Sequence, residues 1–76
     1  MMKADGFDEA IIGVGRQFDK PDRFIYEYDK CLVILMLDQD FTEEDAIEWM
    51  EYNVLGAYVG EGTPIFKIDY IEEEVY

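Results

Sequence analysis

Seven consecutive apolar residues, Cys31 to Leu37 ("CLVILML"), constrain this chain more than any other feature. A run of this kind must be covered over much of its surface. It is far shorter than the roughly 20 residues of a membrane-spanning helix, so it belongs to a protein core. Periodicity alone does not separate a buried helix from a buried strand over so short a stretch. Two neighbours favour the helix. Asp29 stands before the run as an N-cap, and "DQDF" after it makes a ready connection to a further helix. The spacing predicts a helix over residues 30–38, with Leu32, Leu35 and Met36 inward and Cys31 or Val33 at the flank. A strand over 31–37 stays open.

The chain has 76 residues, enough for one small domain spanning 1–76, with ends at 1–7 and 71–76 that are expected to fray. Half the residues are apolar and twelve are aromatic, which sets the chain apart from disordered sequences despite its charge. So short a chain buries only part of its surface, and a homo-oligomer would add stability. Cys31 is the single cysteine, so no intrachain disulfide forms. Its place inside the apolar run makes it a core residue rather than a reactive thiol. The N-terminal "MMKADGFDEA" has no signal-peptide apolar region, and a reduced, cytoplasmic compartment is expected.

The remaining elements are read from shorter patterns. "EAIIGVG" reads as the start of a strand over residues 9–17, with two glycines marking a bulge or a close backbone approach. "DKPD" is a turn. "RFIYEY", 23–28, alternates as a second, antiparallel strand. Thr42 is an N-cap, with Glu43, Glu44 and Asp45 at the positive end of a helix over about 43–56. Asp45 stands where a capping box usually has Glu or Gln, and Phe41 with Ala46 has the spacing of a hydrophobic staple. "GEGTP" is a turn before a third strand over 64–70. The order ββααβ predicts an α+β fold, a three-stranded antiparallel sheet with two helices on one face.

The charge is −13 and is unevenly placed. Residues 1–37 hold seven acids and five bases, whereas residues 38–76 hold twelve acids and the single base Lys67. Direct binding to nucleic acid or to an anionic membrane is excluded by repulsion. A basic protein surface, above all one that normally holds DNA or RNA, is attracted. The plainer account of the charge is solubility.

The residue inventory argues against an enzyme. With no histidine, no serine and one cysteine, Ser–His–Asp, Cys–His and His/Cys zinc arrangements are impossible. "GVG" at 13–15 lacks the third glycine of a dinucleotide fingerprint, since Phe18 stands there. "GEGTP" lacks the Lys-Ser/Thr of a phosphate loop. "DQDFTEED" begins like a calcium loop, but Glu43 and Trp49 occupy the positions of its glycine and bidentate acid. No catalytic residue, metal site or cofactor is therefore expected, beyond adventitious divalent ions on clustered carboxylates.

The acidic helix carries the best functional signal. At roughly 100° per residue, Ala46, Met50, Asn53, Val54 and Ala57 share one face. Glu44, Glu48 and Glu51 stack opposite, where like charges oppose the helix slightly instead of stabilising it. Trp49 and Tyr52 fall between. Aromatics beside a carboxylate row suit a basic, partly apolar partner. The simpler account is a solvated face, with Trp49 wrapped onto the sheet edge.

"EAIIGVG", "YDKCLVILM" and "EWMEYNVLGAYVGEGTPIF" together resemble short proteins of tailed bacteriophages and cyanophages, over residues 8–66. The resemblance implies a viral product acting in the bacterial host cytoplasm and carries over no activity and no site residues. The expectation is a non-enzymatic phage accessory factor. As a nucleic-acid mimic and host-protein inhibitor, it would present Glu44, Glu48, Trp49, Glu51 and Tyr52 to a basic, nucleic-acid-handling site. The alternative is a small structural or self-associating protein whose charge serves solubility only.

Overall fold

A computed structural model describes residues 2–55, 60 and 62–68. Along them run strand β1 (Ile11–Gly15), strand β2 (Arg23–Glu27), helix α1 (Tyr28–Gln39), helix α2 (Glu43–Met50) and strand β3 (Ile65–Lys67). The expected α+β order ββααβ is present. The apolar run is helical.

The sheet is mixed, which corrects the antiparallel expectation. β1 pairs with β2 antiparallel, and β2 pairs with β3 parallel, in the order β1-β2-β3. The link 16–22 between β1 and β2 is too short for a crossover, so β2 returns antiparallel. Strands joined through a long helical connection can run parallel, as β2 and β3 do across α1 and α2. The glycines of β1 act as anticipated. The register slips between Ile11 and Gly13, and a Cβ on Gly15 would lie 3.1 Å from Ile65 Cδ1 and 3.4 Å from Ile25 Cδ1. At the turn between the strands, Asp19 takes a positive φ of 61°, and the Arg16 guanidinium clasps Asp22 with two hydrogen bonds of 3.0 and 2.8 Å. That contact holds the Asp22 carboxyl below its usual range.

Tyr26 is the centre of the core. It is fully buried, stacks on Phe66 at 5.4 Å and meets Phe24 edge-on at 6.5 Å. A buried phenol needs a polar partner, and here the Ala4 N–H donates to its oxygen at 2.8 Å. Ala4, inside the segment expected to fray, is thus tied to the sheet. Ala4, Phe7 and Ala10 are all buried, joined by the bonds Phe7 N to Ala4 O and Ala10 N to Phe7 O. Residues 71–76, the other expected loose end, lie outside the described residues, as do Asp69 and Tyr70 of the third predicted strand.

α1 starts earlier than expected. Tyr28 is its first residue and Glu27 its N-cap, with no side-chain capping bond, so Asp29 lies in the first turn and is not the cap. Tyr28, Cys31, Leu32 and Leu35 are buried. Met36, expected inward, is on the surface, and so is Val33. Burial pushes the Cys31 thiol up to about 12. Among the described residues no helix is long and apolar enough to cross a membrane.

Candidate functional site

α2 is positioned by its own first turn. The Thr42 hydroxyl accepts from the Asp45 N–H at 3.2 Å, and the Asp45 carboxylate accepts from the Thr42 N–H at 3.4 Å. Aspartate therefore closes a full capping box despite its shorter side chain. Glu43, Glu44 and Asp45 lie at the positive end of the helix, where carboxylates are favoured.

Ala46 and Met50 are completely buried, and Val54 nearly so. This rotational setting sends Glu44, Glu48 and Glu51 into solvent. The chain does not stay α-helical to residue 56. After Met50 it continues as a π turn, Glu51–Leu55, whose larger number of residues per turn rotates the later side chains away from their α-helical facing. Asn53, expected on the core face, is exposed, and its side-chain amide donates to the Trp49 carbonyl at 3.2 Å. Ala57 lies outside the described residues.

The five expected site residues come together around two adjoining shallow grooves. Glu44, Glu48, Glu51 and Tyr52 line one with Ile47. Glu48, Trp49 and Tyr52 line the other with Phe41, Asp45 and Asn53. Tyr52 is 77% exposed, whereas Trp49 is half-buried. The indole packs on Phe7, with ring centres 6.1 Å apart and planes inclined at 52°. Among the described residues, none of Glu44, Glu48 and Glu51 is in an ion pair; Arg16 is engaged by Asp22 instead.

Sequence reasoning missed Phe41 and Ile47 as parts of this surface, and the buried Phe7 as the support beneath Trp49. Ala4, Phe7 and Ala10 did carry a signal, since apolar residues three apart match the period of a 3₁₀ turn, and Asp8–Ala10 is one. Among the described residues no three metal-ligating side chains converge. Among the described residues, the two grooves present carboxylates, aromatic rings and one side-chain amide. No family model, no curated protein and no solved structure matches the chain.

Proposed function

We propose that this protein is a non-enzymatic acidic interaction module that occupies a basic, nucleic-acid-handling site on another protein. In the setting its phage-like sequence suggests, that protein is a bacterial host factor. One observation carries the reading: Glu44, Glu48 and Glu51, without intrachain cations among the described residues, edge a groove that also exposes Tyr52. From Glu44 to Glu51 is seven steps of ~1.5 Å, so the three carboxylates are spaced ~5 Å apart on average along the axis. Phosphates along one DNA strand repeat every ~3.4 Å. The row is sparser than a nucleic-acid strand but of the same order, and a site that steers phosphates by charge also steers this helix.

The test is capture from bacterial lysate by immobilised wild-type protein and by a Glu48→Lys/Glu51→Lys variant. The expected result is a nucleic-acid-binding protein retained by the wild type at low salt, lost at high salt and displaced by added duplex DNA. The variant should fail to retain it while melting at the same temperature. Equal capture by both proteins, or capture indifferent to salt and DNA, would overturn the reading.

A further inference from the structure

The outward face of α1 has no role in the module just described. Tyr28, Cys31, Leu32 and Leu35 account for its buried side, yet the opposite side is also apolar. Val33 is 51% exposed and Leu37, one turn on, is 78% exposed. A helix that is hydrophobic all round is normally covered all round. In a chain of net charge −13, an apolar stripe left in water is the exception that needs an occupant.

We propose that the occupant is a second copy of this chain, packed through α1 against α1 in antiparallel fashion about a two-fold axis near Leu35. The sequence of the helix is self-complementary about that point. Val33 and Leu37 lie two residues to either side, about 3 Å along the axis, so Val33 of one copy meets Leu37 of the other. Lys30 and Asp40 lie five residues to either side, about 7.5 Å, so each cation reaches the acidic end of the opposing helix. There Asp40 ends α1, and Asp38 lines a cavity with Asp8, Glu9, Ile34 and Leu37. Among the described residues Lys30 is in no ion pair. The arriving ammonium also meets the negative end of the α1 dipole. A two-fold interface uses each of these contacts twice, as an isologous dimer must. The parallel arrangement would instead set Lys30 against Lys30 and Asp40 against Asp40.

Sedimentation equilibrium over a concentration series tests the proposal with the wild type and three variants. The wild type should follow a monomer–dimer equilibrium. Leu37→Glu should weaken it by about 100-fold or more, on the scale of ~1.4 kcal/mol per tenfold. Lys30→Glu should weaken it about tenfold, and adding Asp40→Lys in the same chain should restore most of that loss, since the swap rebuilds the pair with its signs exchanged. All three positions are exposed, and circular dichroism with thermal melting checks that each variant is folded. If Leu37→Glu proves unstable, the charge-swap pair decides alone. A wild type that stays monomeric, a Leu37→Glu variant that dimerises as tightly as wild type, or a charge swap that restores nothing would each overturn the assignment.

Discussion

The two helices of this protein are neighbours, but they are specified in opposite ways. α2 is written locally. It has a reciprocal capping box, three carboxylates in its first turn and a narrow apolar stripe ending in Met50 and Val54. α1 has none of these. Its N-cap Glu27 makes no side-chain capping bond, and it is apolar on both sides, so its ends and its rotation are set by what packs on it. An element with its own start signal and a one-sided pattern reveals its facing before folding. An element made only of apolar residues shows that it will be covered, not by what. The first helix therefore depends on tertiary contacts, and the second has local stability to set against the repulsion of its acid row.

The largest effects should come where the two helices share one core. Met50→Ala removes a fully buried side chain from the α2 side and should cost about 2–5 kcal/mol in chemical unfolding. On the α1 side, Cys31→Ser places a hydroxyl in a fully buried site and should cost about 1–3 kcal/mol. If Met50→Ala were nearly neutral while Cys31→Ser unfolded the chain, the core would belong to α1 alone and the comparison would fail.

Cys31 also separates the helices by pH. Burial raises its thiol from 9.0 to about 12, so the folded protein keeps a proton that the unfolded chain releases. This contribution is complete below pH 9 and falls as pH rises from about 9 to about 12. The difference in unfolding free energy between wild type and Cys31→Ala should therefore shrink across that window, whatever the tyrosines contribute to both. A difference that stays flat with pH, or rapid thiol labelling of the native protein, would show that Cys31 is not sealed in the core.

How far the sequence could be read follows the same division. Thr42, Asp45 and the stripe Ala46, Met50, Val54 placed α2 correctly, because each signal lies within one or two turns of the residue it controls. Its end was misjudged because the π turn has no sequence mark of comparable strength. The start of α1 was misplaced by two residues, since Asp29 is a good cap by type but Tyr28 gains more by being buried. The direction of β3 was beyond reach, as the path through two helices returns the chain to the sheet in either sense. The Tyr26–Ala4 bond joins positions 22 residues apart, a distance over which no local pattern operates. The candidate surface was more legible than the fold around it, because Glu44, Glu48, Trp49, Glu51 and Tyr52 all sit on or directly after the locally specified element.

A smaller effect isolates the capping box. Thr42→Ala removes the acceptor for the Asp45 N–H and should cost about 1 kcal/mol. Asp29→Ala in α1 should cost clearly less, because Asp29 lies inside the first turn and only its favourable place in the dipole is lost. Thermal melts of the two variants decide this. Equal losses would mean that Asp29 caps α1 after all, and the contrast in how the helices begin would disappear.

The smallest expected effect is the sharpest test of what the acid row is for. Glu44 sits in the first turn of α2, Glu48 one turn later. Glu44→Lys removes a carboxylate from the positive end, a loss of about 0.3–1 kcal/mol. It also replaces the repulsion with Glu48 by attraction, a gain of about 0.2–0.5 kcal/mol. The two nearly cancel, leaving a slight net loss. Glu48→Lys lies beyond the reach of the helix start and turns two repulsions, with Glu44 and Glu51, into attractions. It should melt at the same temperature as wild type or slightly higher. A row kept for stability would give the reverse, with Glu48→Lys the more damaging change. If Glu48→Lys stabilises the fold while removing salt-sensitive capture of a basic partner, the carboxylates are held against a small energetic cost, which is the mark of a binding surface. If it stabilises and every association survives, the row is a solvated face, and the outward side of α1 becomes the main interaction surface of the molecule.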